Sequence, residues 1–552
     1  MNTYNIIDEF NMPLSKDGLT VQAFLYRRLQ KVDRESLNEN DRIRVILGDF
    51  DYYDHTGAGS KLTMIQMAIN DLDFRNSLIE IVTTNKDIEK EIDYLIESVA
   101  YDANSRFSSQ VLEGEYTKRP KADMLSHYEY SNQIPTKVKL DDLSEKELHL
   151  LTKSKTFCMY PWTHMNASPN GEAMPCCLWD YNVKMGSVKE QSINELWNGK
   201  DWKKLRLDML NEIPVEGCKK CYEEEQNGFF SNRQSANKHH GHHINKATGT
   251  REDGSIDTFQ LTYWDIRFSN LCNLSCRSCG HIFSSSWYAD QVKLAGPDWG
   301  KKHKTLFWAG RHETDMLEQL MEHIDYVEQI YFAGGEPLMM DEHYHILEEL
   351  ERRDKFHVRL VYNTNFTKTK LKDRYVFDYW RKFNSVSVGA SLDAMGSRAE
   401  YIRNGTDWED VEENRRRMME MCPNVDFYVS PTLSILNAWH LPDFHREWSD
   451  KGLILPQDLN VNLLTDPDWL RIDMATPEYK HKLIEKYEKH LEWLKPKDKF
   501  NRATQGFESA ITFMKAQDRT DLLAKFWEKT NKLDEIRGQS VLEVLPELNE
   551  LT

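Results

Sequence analysis

Eight of the nine cysteines in this 552-residue chain fall between Cys158 and Cys279, and only Cys422 stands apart. The tightest group lies in Leu271-Cys-Asn-Leu-Ser-Cys-Arg-Ser-Cys-Gly280, where Cys272, Cys276 and Cys279 are spaced C-x3-C-x2-C. Three thiolates this close can converge on one soft metal centre with little extra ordering of the chain. Zinc knuckles favour paired C-x2-C elements that together close a four-coordinate shell. Three thiolates with no nearby fourth suit an iron–sulfur cube that keeps one iron open. Upstream, Cys158, the pair Cys176-Cys177 and the knuckle Cys218-Lys-Lys-Cys221 form a second group. On spacing alone that group suits structural zinc as well as iron.

The bulk numbers narrow the setting of these thiols. The length predicts roughly three or four domains of ordinary size, and 40% apolar with 11% aromatic residues is enough to fold. A formal net charge of −18 argues against a general nucleic-acid binder, whose affinity comes from clustered Lys and Arg. No apolar run approaches the ~20 residues of a membrane span, and Met-Asn-Thr-Tyr-Asn-Ile-Ile-Asp-Glu lacks the pattern of a signal peptide. A cytoplasmic protein with reduced thiols is therefore expected.

The elements that must position the cysteines follow from periodicity. Residues 1–150 are polar, with apolar stripes at 62–72 and 88–99, and predict a helical accessory domain; Asp51–His55 reads as a solvated loop. Residues 151–230 hold the first cysteine group, and Ser192–Arg206 predicts a helix packed through Ile193, Leu196, Trp197 and Leu205. Residues 231–256, with Lys238-His-His-Gly-His-His, read as a hydrated linker; the four histidines suit a metal, but the polar surroundings predict no scaffold for one. From 257 to 465, strand-like runs at 263–268, 327–332, 357–362, 385–389, 425–429 and 459–463 alternate with helical patterns such as 344–350 and 408–421. This β–helix–β order predicts an α/β domain with a parallel sheet. Cys422 reads as a buried thiol packed as a small hydrophobe. Residues 466–552 predict a helical C-terminal region, with stripes over 479–494 and 510–533 and a last short element at 541–545.

Chemistry in such folds sits at the carboxyl ends of strands. The C-x3-C-x2-C loop follows the first run, Gly334-Gly335-Glu336-Pro337 the second, Asn363-Thr-Asn365 the third and Ser391-Leu-Asp393 the fourth. Together these residues resemble the radical S-adenosylmethionine (SAM) enzymes. The resemblance implies a partial (β/α)6 barrel in which Cys272, Cys276 and Cys279 hold a [4Fe–4S] cluster that binds SAM. Gly334, Gly335, Glu336 and Pro337 would meet the methionyl amino group, and Asn363, Asn365, Ser391 and Asp393 the ribose and carboxylate. The position before the third cysteine is usually aromatic in the family and is Ser278 here; Phe283 or Trp287 are candidates for the missing apolar wall.

The Cys158-x12-Gly171-x4-Cys176 spacing and the helix after it resemble the opening of the SPASM, or twitch, auxiliary-cluster domain. In the families that carry it this module usually follows the radical SAM domain; here it comes first. The resemblance implies Cys158, Cys176, Cys218 and Cys221 as ligands of an auxiliary [4Fe–4S] cluster, with Cys177 spare. It further implies an oxidoreductase-type enzyme with SAM, a one-electron reductant and a peptide, protein or small-molecule substrate as partners. Arg403 and Tyr401 are read as facing either substrate or solvent. A non-catalytic iron–sulfur electron carrier and a zinc-stabilised interaction module are the rival classes.

Overall fold

The computed structural model describes the strands Thr3–Ile7, Arg42–Leu47, Leu78–Thr83 and Arg106–Val111, residue 138, and residues 142–551 apart from 227–229, 423, 499 and 500. The first four strands form one parallel sheet in chain order. This corrects the expectation that residues 1–150 are helical. Arg-Ile-Arg-Val-Ile-Leu and Leu-Ile-Glu-Ile-Val-Thr are rich in branched residues that fit a pleated surface, and the helix-like stripes beside them mask that signal. Parallel pairing also demands crossovers of a dozen or more residues, which the spacing between these strands allows. The stripes themselves and Asp51–His55 lie outside the described residues.

The main sheet has seven strands. Tyr263–Ile266, Gln329–Phe332, Arg359–Thr364, Val386–Ala390 and Val425–Val429 run parallel, each beside its predecessor in sequence. Buried helices pack between them, notably Asp341–Arg352 through Ile346, Leu347 and Leu350, and Trp408–Met421 through Trp408, Val411 and Met418. The expected sixth strand is broken. Val429 bridges Leu459, and Thr432–Leu433 then pairs with Asn462–Leu463. Pro431, which has no N–H to offer a ladder, sits at the interruption.

At the other edge the cysteine-rich segment joins the same sheet. His164–Ala167 runs parallel to Tyr263–Ile266, with His164 opposite Tyr263 and Ala167 opposite Ile266. Ala173–Met174 folds back on it as an antiparallel hairpin, turning at Gly171 with φ +92°. A Cβ at Gly171 would meet Ala309 O at 2.9 Å, so the turn needs glycine on both counts. The expected helix over 192–206 appears as Ile193–Trp197, capped by Ser192, and Lys200–Leu210. Its predicted face of Ile193, Leu196, Trp197 and Leu205 is buried.

The segment 231–256 is folded, contrary to its reading as a hydrated linker. Asn232–His240 is a helix with a Ser231 capping box, followed by a tight turn at Gly241–His243 and the helix Ile244–Thr248. Its scaffold is long-range. Asn237 accepts from Met159 N and donates to Phe157 O, both at 3.0 Å. His240 is buried, with its ring stacked 5.3 Å from that of Tyr263.

The C-terminal region is helical as expected, in Pro477–Leu494, Arg502–Ala516, Leu523–Arg537 and Val541–Val544. The single stripe predicted over 510–533 is two helices, divided where Asp518 accepts from Thr520 N at 3.0 Å. Cys422 is buried, its thiol donating to Phe377 O at 3.2 Å. Among the described residues no helix is long and apolar enough to cross a membrane.

Candidate cluster and cofactor sites

The C-x3-C-x2-C loop leaves the first core strand at Ile266 and is pinned from four sides. Ser275–Cys276 pairs antiparallel with Arg403–Asn404. Cys272 N donates to Ser285 Oγ at 3.2 Å, and Trp287 Nε1 donates to Cys276 O at 2.8 Å. Trp287 is thus buried beneath the loop and cannot form the wall suggested for it, while Phe283 remains half-buried. Cys272 and Cys276 are covered and Cys279 is exposed, so one side of the loop stays accessible.

The Gly-Gly-Glu-Pro turn presses against this loop. A Cβ at Gly335 would lie 2.1 Å from Leu271 O, and Glu336 N donates to that same carbonyl at 2.7 Å. The backbone that Gly335 admits so closely therefore belongs to the cysteine loop. Glu336 is buried and its carboxylate accepts from Leu338 N, Thr364 Oγ1 and Asn365 N at 3.1, 2.7 and 2.7 Å. Burial pushes its pKa up to about 7 against those three hydrogen bonds. Pro337 opens the buried turn Pro337–Met339. Asn365 Nδ2 donates to Asn273 Oδ1 at 2.9 Å and points at Cys272 Sγ at 3.9 Å.

Asp393 is also committed within the protein. It accepts from Thr432 N at 2.8 Å, and Arg403 grips both its oxygens, Nε at 2.8 Å and Nη2 at 3.0 Å. Arg403 Nη1 donates to Cys276 Sγ at 3.6 Å. Arg403 is therefore held by Asp393 against a cluster cysteine, a role that spacing in the sequence does not signal. Tyr401 is buried as well, its hydroxyl donating to Asp534 at 2.9 Å and its ring 3.7 Å from the Arg277 guanidinium. Neither side chain is on the surface.

The C-terminal helix Leu523–Arg537 completes the bracing. Asp534 pairs with Arg277, between the second and third cysteines, and accepts from Val541 N at 2.7 Å. Arg277 donates to Gln539 Oε1 at 2.8 Å and Arg537 to Ser275 O at 2.7 Å. Buried charges persist where they are paired and hydrogen-bonded, and here each partner is.

At the carboxyl ends of the core strands lies a polar cavity of about 380 Å³, lined by Tyr331, Asn363, Ser391, Tyr428, Ser430, Thr432, Asn460 and Asn462. These residues stand at or beyond the carboxyl ends of the strands, and all are neutral hydrogen-bonding groups. The eight predicted cofactor residues thus divide. Asn363 and Ser391 form cavity wall, whereas Gly334, Gly335, Glu336, Pro337, Asn365 and Asp393 shape or brace the loop. Tyr331, Tyr428 and the four residues from 430 to 462 carry no motif and become visible only through strand register.

The second cysteine group is assembled from separated segments. Cys158 precedes the helix Tyr160–Thr163, Cys176 follows the hairpin, Cys218 ends the turn Glu216–Cys218 and Cys221 lies on the helix Lys219–Gln226. Arg233, from the folded 231–256 segment, donates to Ser154 O and Phe157 O at 3.0 and 2.7 Å and pairs with Glu225. Together with Asn237 it fixes the backbone on both sides of Cys158. Burial, with the Cys218 and Cys221 thiols nearby, pushes the Cys158 thiol well above its usual range. Cys176 is likewise raised by burial, then by its neighbour Cys177 and by Cys158, Cys218 and Cys221. Cys177 is raised to about 11 by burial and then chiefly by Asp265, with Arg267 opposing. The thiols of Cys158, Cys176, Cys218 and Cys221 therefore lie near one another, with Cys177 beside Cys176 on the side of Asp265 and Arg267. Thiols packed this way ionise only with a cation to neutralise them.

Among the described residues the only three or more His, Cys, Asp or Glu ligand atoms all within 4.8 Å of each other are those of His242, His243 and Glu328. All-thiolate donor sets suit an iron–sulfur cube at both groups.

Comparison with known families agrees. Residues 266–432 match the radical SAM superfamily, and residues 158–222 match an iron-sulfur cluster-binding domain named SPASM. The matched radical SAM domain, preceded by the matched auxiliary domain, implies a [4Fe–4S] cluster and SAM, and the auxiliary domain a further iron–sulfur cluster. No curated protein matches the chain.

Proposed function

We propose that this protein is a radical SAM enzyme of cytoplasmic type, built on a partial (β/α)6 core with an N-terminal twitch module, acting on a peptide, protein or small-molecule substrate. Cys272, Cys276 and Cys279 would hold the cluster, which when bound would supply the one electron for reductive cleavage of SAM, with methionine as the leaving group and hydrogen abstraction from the substrate as the outcome. The protein's own residues orient and shield. Asn363 and Ser391 offer hydrogen bonds to the cofactor's polar edges, and Tyr331 and Tyr428 narrow the cavity between them. Glu336, Asp393 and Asn365 act indirectly, by fixing the cysteine loop relative to that wall. With all four of Cys158, Cys176, Cys218 and Cys221 as ligands, the auxiliary cluster keeps no site for substrate and passes electrons.

The observation that carries this reading is the polar cavity at the carboxyl ends of consecutive strands, in the sheet that also carries the braced cysteine loop. A cluster protein without SAM chemistry has no use for such a wall. The test is the electron paramagnetic resonance spectrum of the reduced, fully loaded protein. SAM should change the signal of one cluster and leave the other unaltered. Ser391→Ala and Asn363→Ala should raise the SAM concentration needed about tenfold each, as expected for the loss of one or two good hydrogen bonds. A spectrum indifferent to SAM at every concentration would overturn the proposal.

A further inference from the structure

The turn Gly241–His243 brings two imidazoles to one carboxylate at the amino end of the second core strand, far along the fold from the carboxyl-end cavity. His242 Nε2 lies 2.7 Å from Glu328 Oε2, and His243 Nε2 lies 2.8 Å from Glu328 Oε1. Glu328 is fixed by its backbone, its N–H donating to Thr262 O at 2.8 Å and its carbonyl accepting from Arg359 N at 2.9 Å. The first contact has hydrogen-bond geometry. The second does not: His243 Nε2 is buried and finds no hydrogen-bond partner despite its short approach to the carboxylate. One ligand atom from each of His242, His243 and Glu328 lies within 4.8 Å of the others, close enough to converge on one ion.

We propose that His242, His243 and Glu328 form a site for a divalent cation of the zinc class, with solvent completing the shell. Imidazole and carboxylate are ordinary zinc donors, at about 2.0–2.2 Å. The side chains are 17%, 15% and 29% exposed, which leaves room for water as the remaining ligand. Burial holds the Lys246 ammonium below its usual range, which limits the repulsion it adds. The ion would clip the 231–256 segment to the core sheet. That segment carries Arg233 and Asn237, which by themselves hold the backbone around Cys158, and the clip adds stability to the segment's seat on the sheet.

The experiment uses holoprotein with both clusters loaded, equilibrated with zinc and a weak competing chelator and then freed of unbound metal. Elemental analysis should find about one zinc per chain beside about eight irons, four for each of two cubes. His243→Ala and Glu328→Gln should each lose that zinc at least tenfold more readily while iron and visible absorption stay unchanged. Zinc should also raise the melting temperature of the parent protein and of neither variant. No bound zinc in the parent, or equal zinc in parent and both variants, would overturn the assignment.

Discussion

At Cys272, Cys276 and Cys279 all ligands come from one short loop, whereas Cys158, Cys176, Cys218 and Cys221 are gathered from separated segments that meet only in the fold. The loop site keeps one cysteine exposed, and the sheet that carries it has a polar cavity at the carboxyl ends of its strands. The gathered site has buried or half-buried thiols and a closed shell of backbone and Arg233. A local motif orders its ligands cheaply but does not fix their orientation, so distant groups must do so: Arg403, Asn365, Asp534 and Arg537 all reach the loop from elsewhere. A gathered site has no local motif to rely on, and the packing that assembles it also seals it. Openness and external bracing therefore go together.

The largest expected effect separates the two sites outright. Replacing Cys272, Cys276 and Cys279 together with Ala should leave about half of roughly eight irons, with the auxiliary signal intact. Next, Cys176→Ala should lose the auxiliary cluster and Cys177→Ala should keep it, because the spacing from Gly171 points to Cys176 as the ligand. Iron counts and paramagnetic resonance of the pair decide, and the reverse pattern would reassign the ligand. Asp534→Asn tests the bracing. Weakening this buried pair with Arg277 should cost about 3 kcal/mol in denaturant unfolding and speed iron loss from the loop site on gel filtration. Equal loss from both sites would show that the C-terminal helix braces the whole fold and not this loop. The smallest effect is expected for Asn365→Ala, which removes a donor aimed at Cys272 Sγ. It should lower the potential of that cluster alone, since hydrogen bonds to sulfur raise it.

Much of this was legible in the sequence for a physical reason: the chemistry sits on short motifs at the ends of strands with period-two patterns. The Val425–Val429 strand and the Trp408–Met421 helix fall where periodicity puts them, and the two matched domains cover the two cysteine groups. What stayed hidden is what depends on contact over distance. Nothing local marks Asp393 as the partner of Arg403, or Asp534 as the partner of Arg277. The histidine-rich stretch reads as solvated because its support, from Phe157, Met159 and Tyr263, lies far away in sequence. The four N-terminal strands were obscured by neighbouring stripes of helical period.

The central claim is that the open loop site does radical chemistry and the closed one does not. It is tested most directly by incubating fully loaded protein with SAM and a strong one-electron reductant and measuring 5′-deoxyadenosine. The account predicts that it accumulates, slowly without substrate, in the parent protein and in Cys177→Ala, and that the Cys272, Cys276 and Cys279 triple variant makes none. A parent protein with both clusters intact that never cleaves SAM under any reductant would contradict it.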